Sequence, residues 1–247
     1  MKKSKQRLDL ILVDRGLAPS RERARALIMA GQVSVAGAQV DKPGTPVPED
    51  ADVSLKGTDH PWVSRGGLKL AHALEAFGLD VTDSIALDIG ASTGGFTDVL
   101  LKNGARRIYA VDVGHGQLDW RLRNDERVVT LERTNARNLT TAHVPEAINV
   151  VVCDASFIGL RMVLPAGLGL AAPGAILVAL IKPQFEAGKD RVGKGGVIRD
   201  AAVHQEVCEA IQAWLNNLPD WTVVGLTESP IQGPAGNREF LIAARHD

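Results

Sequence analysis

The sequence predicts an α/β protein with a mainly parallel sheet covered on both faces, preceded by a small α+β domain. Two observations lead to this fold class. After residue 65, continuous apolar runs alternate with helical segments, as in strands that are buried on both sides. Before residue 60, short alternating runs and turn residues follow two helical patterns. The five apolar runs are 84–90, 107–113, 128–132, 148–154 and 174–181.

The first part of the chain reads as helix, helix, hairpin. Residues 6–16 and 20–30 predict two short amphipathic helices, with Ser20 as an N-cap and Gly31 as a C-cap. The segment Q-V-S-V-A-G followed by Q-V predicts a small hairpin. Residues 41–61 hold four prolines and predict a turn-rich connection with one short strand around D-V-S-L. We therefore expect one domain over 1–59 and a linker over 60–64.

The rest of the chain, 65–247, predicts the larger domain. Helices are expected at 66–78 and about 200–216, and the runs 221–227 and 239–244 could pair as a hairpin at the end of the sheet. Residues 162–181 are uncharged over 20 positions, about the length of a membrane span. Its prolines and the turn signal P-G split this stretch into a buried helix, a turn and a strand. We expect neither a membrane segment nor, at the N-terminus, a signal peptide.

Charge and cysteine content narrow the function classes. The net charge is −1, but residues 1–25 carry eight basic side chains against three acidic ones. This local excess indicates either a phosphate-binding surface or a solvated helix face. Cys153 and Cys208 form no C-x-x-C pair, and the histidines lack ligand spacing, so no metal site is expected. Both thiols should pack as small apolar groups, which suits a reducing cytoplasm.

A glycine-rich turn follows the first strand of the sheet, in D-I-G-A-S-T-G-G-F. It contains Asp88, Gly90, Gly94 and Gly95, and Asp112 ends the next strand 22 residues after Gly90. An acid at that point can bind the hydroxyl pair of a ribose, so an adenosine-type ligand is expected. The turn matches neither G-x-G-x-x-G nor a P-loop. This favours S-adenosylmethionine, which has no phosphate, over an NAD-like cofactor, although a tight turn without a ligand stays possible.

Four further polar residues stand where ligands bind in such sheets, or close by. Asp154 and Lys182 follow apolar strands, Glu239 starts the last strand, and Lys69 lies on the helix before the sheet. If they converge, two amines and two carboxylates surround one point, which suits methyl transfer to a hydroxyl with neutral Lys182 as general base. The alternatives are a snorkelling lysine, a helix N-cap at Asp154 and exposed positions for Lys69 and Glu239.

Several motifs in one order resemble the TlyA (hemolysin A) family of ribosomal RNA 2′-O-methyltransferases. They are W-V-S-R-G-G-L-K-L, D-I-G-A-S-T-G-G-F, V-C-D-A-S-F-I-G-L and I-K-P-Q-F-E-A-G-K. The resemblance implies a class I (Rossmann-like) methyltransferase sheet, similar to FtsJ-type enzymes, over 65–247. Over 1–59 it implies an S4-like RNA-binding domain, through R-L-D-L-I-L-V-D-R-G-L and A-G-Q-V-S-V. The implied reaction is methylation of cytidine ribose in 16S or 23S ribosomal RNA, or both.

The resemblance also implies roles for individual residues. The catalytic tetrad falls on Lys69, Asp154, Lys182 and Glu239. Cofactor contacts fall on Asp88, Gly90, Ala91, Ser92, Thr93, Gly94, Gly95, Phe96, Asp112, Asn135, Ala136 and Asp154. RNA contacts fall on Lys3, Lys5, Arg7, Arg21, Arg23, Arg65, Lys189 and Lys194.

Some alternatives remain open at this point. The glycine-rich stretch 186–197 is either a mobile lid or a solvated loop. Phe157 and Phe185 are expected in the core, with stacking on the target base as the second reading. The rival functions are an inactive RNA-binding assembly factor, a pore-forming hemolysin and an NAD-linked oxidoreductase.

Overall fold

The protein forms two compact units in a computed structural model. They comprise Met1–Pro61 and Trp62–Asp247. The structure describes residues 5–18, 20–55, 60–193 and 195–247, without the side chain of Lys189. Each unit has its own apolar core.

The first unit combines two helices with two small antiparallel sheets. Strand β1 pairs with β4, and β2 lies between β3 and β5. Leucine and isoleucine side chains of both helices meet valines of the strands in the core. The elements are β1 (Lys5–Arg7), α1 (Leu8–Asp14), α2 (Arg21–Met29), β2 (Val33–Val35), β3 (Ala38–Gln39), β4 (Pro46–Pro48) and β5 (Val53–Leu55).

The two helices and the hairpin are confirmed, with shorter bounds than predicted. The Ser20 hydroxyl accepts a hydrogen bond from the Arg23 backbone N–H at 3.1 Å, which is the predicted N-cap. Gly31 adopts φ +68 just past the end of α2. The hairpin turns at Ala36 and Gly37, whose φ values of 49 and 80 are those of a type I′ turn.

Two strands of this unit were missed. Residues 6 and 7 were expected to begin the first helix but belong to β1, Lys5–Arg7. Strand β4 carries Pro46 and Pro48, which argue against a strand because proline donates no ladder hydrogen bond. Both prolines are tolerated because β4 is an edge strand in a two-stranded sheet, and its middle residue, Val47, is buried in the core.

The second unit is a seven-stranded sheet with helices on both faces. Its strands are β6 (Ile85–Ile89), β7 (Arg107–Val111), β8 (Val128–Leu131), β9 (Ile148–Cys153), β10 (Ala171–Ile181), β11 (Trp221–Glu228) and β12 (Phe240–His246). Its helices are α3 (Gly66–Ala76), α4 (Gly95–Lys102), α5 (Trp120–Arg123), α6 (Leu160–Val163), α7 (Pro165–Leu168), α8 (Pro183–Glu186) and α9 (Ala201–Asn216).

The strand order is β11-β12-β10-β9-β6-β7-β8. The neighbours from β10 to β8 run parallel, while β12 is antiparallel to both β10 and β11. Successive side chains of a strand point to opposite faces. Thus Leu177 packs in one core cluster and Val178 in the other, with helices closing both sides. The predicted doubly covered sheet with its terminal hairpin is confirmed.

The stretch 162–181 differs from its prediction in two respects. Pro173 and Gly174 do not end the strand but lie inside β10, where its register against β9 shifts between Ala171 and Ile176. The turn signal therefore marks a bulge at the exposed start of a long strand. The expected single helix is two short ones, α6 and α7. No helix among the described residues is long and apolar enough to cross a bilayer.

Candidate active site

The four candidate catalytic residues meet at one edge of the sheet. Asp154 follows β9 and Lys182 follows β10, and the carboxyl ends of parallel strands share an edge. Strand β12 runs the opposite way, with Phe240 opposite Ile181, so Glu239 arrives at the same edge from the other direction. Lys69 reaches it from helix α3. The sheet topology thus brings together residues up to 170 positions apart in the sequence.

The four charged groups form a continuous chain of ion pairs. Lys69 Nζ lies 2.8 Å from Glu239 Oε2 and 3.3 Å from Asp154 Oδ2. Lys182 Nζ lies 2.6 Å from Asp154 Oδ1. The side chains of Lys69 and Lys182 are each 7% exposed, and that of Glu239 is 2% exposed. Two positive and two negative charges balance, and this compensates the cost of removing them from water.

Ser156 joins this cluster and was missed in the sequence. Lys182 Nζ donates to Ser156 Oγ at 2.8 Å and contacts the Asp154 carbonyl oxygen at 3.2 Å. Together with the Asp154 carboxylate, these atoms give the three hydrogens of an ammonium three acceptors. Ser156 is exposed toward the cavity. Its place two residues after Asp154, in D-A-S-F, was the available signal.

Two cavities open beside the cluster and share a wall. The first, about 570 Å³, is lined by all four charged residues. The second, about 380 Å³, is lined by residues that follow β6, β7 and β8, among them Asp112 and Asn135. The residues common to both are Gly90, Ser92, Asp154, Ser156 and Phe157. A ligand in the second cavity therefore lies next to the charged cluster.

The second cavity is held in shape by hydrogen bonds of its polar residues. Asp112 accepts the Ser92 N–H at 2.8 Å on one carboxylate oxygen and the Gly114 N–H at 2.6 Å on the other. The Asn135 side chain caps a short 3₁₀ turn by accepting the Arg137 N–H at 3.1 Å. Gln117, which sequence reasoning missed, lines the cavity and accepts from the Ser92 hydroxyl at 3.3 Å.

Close packing against the neighbouring strand end requires a glycine at position 90. Its φ is +83, and a Cβ there would lie 2.9 Å from both the Cα and the N of Ala155. The end of β6 thus touches the backbone of the residue after Asp154, and only glycine permits this approach. Gly94 has φ +94 at the start of α4, where a Cβ would collide with Leu122.

Ten of the twelve predicted cofactor residues line one or both of the two cavities. Asp88 and Gly94 do not line either one. Asp88 is fully buried and accepts a 2.6 Å hydrogen bond from the Thr97 hydroxyl. Burial raises the pKa of Asp88 to about 7 against the opposing effect of this hydrogen bond. The first cavity is lined by Ala91, Thr93, Gly95 and Phe96, the second by Asp112, Asn135 and Ala136, and both by Gly90, Ser92 and Asp154.

Phe157 is not a core residue. Its side chain is 90% exposed, its φ is +65, and it lines both cavities. Its ring centroid lies 5.2 Å from that of Phe185, at a tilt of 46°. The expectation of core packing is therefore wrong for Phe157. Phe157 is thus an exposed ring against a partly buried one, in a backbone conformation unusual for phenylalanine.

The predicted RNA contacts lie in both units. Lys5 and Arg7 belong to β1, and Arg21 and Arg23 to α2. Arg65 lines the first cavity and donates to the Gln232 carbonyl oxygen. Lys3, Lys194 and the side chain of Lys189 lie outside the described residues.

The glycine-rich stretch 186–197 borders the first cavity through Gly195 and Gly196. Buried Asn237 holds its end by donating to the Gly196 carbonyl oxygen at 2.9 Å and accepting the Ile198 N–H at 3.0 Å. Arg191 pairs with Glu206 on α9. The lid remains a prediction.

Comparison with known proteins places this site in a family. Residues 62–246 match the FtsJ-like methyltransferase family, and residues 6–53 match the S4 domain. The chain is 48% identical to the 16S/23S rRNA (cytidine-2′-O)-methyltransferase TlyA of Mycobacterium tuberculosis, over 97% of this chain and 89% of that protein. It is 40% identical to hemolysin A of Brachyspira hyodysenteriae, over 95% and 98% of the two chains.

A solved structure of a protein from Streptococcus thermophilus has the same architecture. Its TM-score is 0.76 at 43% identity, over 99% of this chain and 89% of that one. The resemblance found in the sequence motifs is thus confirmed along nearly the whole length. The chain belongs to the FtsJ-like methyltransferase family, and within it to the TlyA proteins, which combine an S4 domain with a methyltransferase domain.

Proposed function

We propose that the protein methylates the 2′-hydroxyl of cytidine in ribosomal RNA, with S-adenosylmethionine as the methyl donor. The observation that carries this proposal is the buried Lys69–Asp154–Lys182–Glu239 cluster at the edge of a methyltransferase sheet, next to a second cavity. The relative named as a cytidine-2′-O-methyltransferase supports the substrate class. We assign RNA binding to residues 1–59, a linker to 60–64 and catalysis to 65–247, and place the reaction in the cytoplasm.

The residues of the second cavity suit the donor. Asp112 is positioned to accept hydrogen bonds from ribose hydroxyls, because each carboxylate oxygen keeps a further lone pair beside its backbone contact. Asn135 and Ala136 line the same cavity and would hold part of the donor, and Asp154 offers negative charge toward a cationic ligand. When bound, S-adenosylmethionine supplies an electrophilic methyl group on a positively charged sulfur.

In the proposed reaction Lys182 handles the proton. A ribose hydroxyl is a weak nucleophile, and transfer of its proton to the neutral Lys182 Nζ makes the oxygen reactive. Asp154 and Ser156 hold Nζ at a fixed point on the wall of the first cavity, beside the place where the ribose hydroxyl would bind. Lys69 forms ion pairs with both Asp154 and Glu239, and these pairs keep the Asp154 carboxylate in place. Holding these groups in one geometry removes much of the entropic cost of the reaction.

The RNA is brought to this point by two sets of residues. Basic side chains at Lys3, Lys5, Arg7, Arg21, Arg23, Arg65, Lys189 and Lys194 bind phosphates. Phe157, exposed at the rim of both cavities, stacks on the base of a nucleotide flipped out of its helix, with Phe185 behind it.

Transfer of a radioactive methyl group to ribosomal subunits tests the proposal. We expect the wild-type protein to label ribosomal RNA at ribose, and Lys182→Met to lose at least about 100-fold in rate, since a general base contributes about that much or more. Lys42→Met replaces an exposed lysine that is not part of the cluster, so it is the matched control and should keep the wild-type rate. No transfer by the wild type would instead support an inactive assembly factor, and full activity of Lys182→Met would exclude Lys182 as the base.

A further inference from the structure

A buried carboxylate of the first unit, that of Asp9, lies beneath two arginine side chains. Asp9 is in the first turn of α1, and its side chain is 0% exposed. Arg7 donates to it from Nε and from Nη2, both at 2.9 Å, and Arg21 donates from Nε at 3.0 Å. The Arg7 hydrogen bonds lower the pKa of Asp9 to about 2, with Arg21 acting in the same direction. A charge that is fully buried needs such partners to be tolerated.

The two arginines keep most of their hydrogen-bonding capacity. A guanidinium carries five N–H groups. Among the residues that the structure describes, Arg7 uses two of them on Asp9 and Arg21 uses one, which leaves three and four. Their side chains are still 48% and 54% exposed. Each arginine is thus anchored at one side and open to solvent at the other.

Lys5 extends this surface. It lies two residues before Arg7 on β1, and both are exposed while Gln6 between them is less so. Alternate residues of a strand share a face. We refer to Lys5, Arg7 and Arg21 as the basic face. A guanidinium with free paired N–H groups is suited to phosphate, which it binds through two parallel hydrogen bonds.

We propose that Asp9 is a positioning residue for RNA binding, which holds Arg7 and Arg21 with their free N–H groups directed at the phosphates of the RNA. This rests on the proposed function, in which the first unit binds ribosomal RNA. Holding a long side chain in place before binding removes part of the entropy that binding would otherwise cost.

The proposal and a charge-only view predict opposite results. Asp9 is negative and lies under a surface that meets a polyanion. If charge alone mattered, removing Asp9 would tighten RNA binding. If Asp9 positions the two arginines, removing it frees them, and binding weakens despite the gain of positive charge.

The test measures binding of the full chain to a fluorescein-labelled RNA hairpin of mixed sequence, by anisotropy at several salt concentrations. Asp9→Asn is expected to weaken binding about 5-fold, which corresponds to about 1 kcal/mol. Asp14→Asn is the matched control, because it removes an exposed acid of the same helix that contacts Gln6 rather than an arginine. It should bind as tightly as the wild type, or tighter. Tighter binding by Asp9→Asn would overturn the proposal.

Two further variants keep the test decisive. One serves in case Asp9→Asn misfolds, and the other tests separately whether the first unit binds RNA. Asp9→Glu keeps the negative charge but displaces the carboxylate oxygens. It replaces Asp9→Asn as the test in case that variant does not fold. Wild-type affinity of Asp9→Glu would overturn the positioning role. The double variant Arg7→Gln, Arg21→Gln should lower the dependence of affinity on salt by one to two phosphate contacts. If it binds like the wild type, the basic face does not bind RNA, and the proposed role of the first unit fails independently of Asp9.

Discussion

Replacing Gly90 by alanine should damage both the stability and the activity of the second unit. The φ of +83 is costly for any residue with a Cβ, and the added carbon would lie 2.9 Å from the Cα and N of Ala155. Carbon atoms in ordinary contact are about 3.5–4.0 Å apart, so the backbone after β9 would have to move. That movement displaces Asp154, which precedes Ala155 and holds Lys182.

The expected loss in the free energy of unfolding has two parts. A substitution at a second glycine, Gly174, measures one of them alone. A left-handed conformation costs alanine about 1–2 kcal/mol, and overpacking costs about 1–3 kcal/mol. Gly90→Ala should therefore lower the free energy of unfolding by about 2–5 kcal/mol. Gly174 in β10 has nearly the same φ, +79, but nothing lies within 4 Å of its added Cβ. Gly174→Ala should cost only the first part.

Urea unfolding followed by tryptophan fluorescence measures this difference in the right unit. All four tryptophans, at positions 62, 120, 214 and 221, lie in the second unit, so the fluorescence comes from that unit. We expect Gly174→Ala to keep methyl transfer and Gly90→Ala to lose most of it. Equal free energies of unfolding for the two variants, or full activity of Gly90→Ala, would refute the role of the Ala155 contact.

Two more predictions follow from buried and exposed side chains. Burial raises the pKa of Asp88 to about 7, so between about pH 4 and pH 7 the folded state binds more protons than the unfolded state. The free energy of unfolding should then fall as pH rises through this range, by up to about 4 kcal/mol, and urea titrations at stepped pH should show that Asp88→Asn lacks this fall; parallel pH profiles would contradict the assignment. Phe157→Ala should change the free energy of unfolding by less than about 0.5 kcal/mol yet raise the KM for RNA by about 5-fold or more, because the ring is exposed and stacking contributes about 1–3 kcal/mol per base. Met162→Ala, which also removes an exposed apolar side chain, should leave KM unchanged, and an unchanged KM for Phe157→Ala would count against stacking.

The second unit was predictable because its strands are buried on both faces. Continuous apolar runs such as I-N-V-V-V-C and A-I-L-V-A-L-I have few other interpretations when helices separate them. The first unit was less predictable. Its strands are only two or three residues long, too short for a periodic pattern, and β4 holds two prolines that only its edge position permits.

Exposure and convergence were harder to predict than the elements themselves. Phe157 follows an apolar strand and has the apolar side chain of a core residue, yet it is 90% exposed, and the sequence carries no signal for its φ of +65. Asp88 follows the pattern of a cofactor-binding acid, but strand alternation directs it into the core against Thr97.

The sequence by itself determined the buried strands of the second unit, the glycine turn and the identity of the residues that follow those strands, because these depend on local periodicity and side-chain chemistry. Only the tertiary structure decided that Lys69, Asp154, Lys182 and Glu239 touch, that Ser156 joins them, and that Asp9 lies buried beneath two arginines. These contacts depend on strand order and on the antiparallel direction of β12, and the pairing of distant strands leaves no periodic signal along the chain.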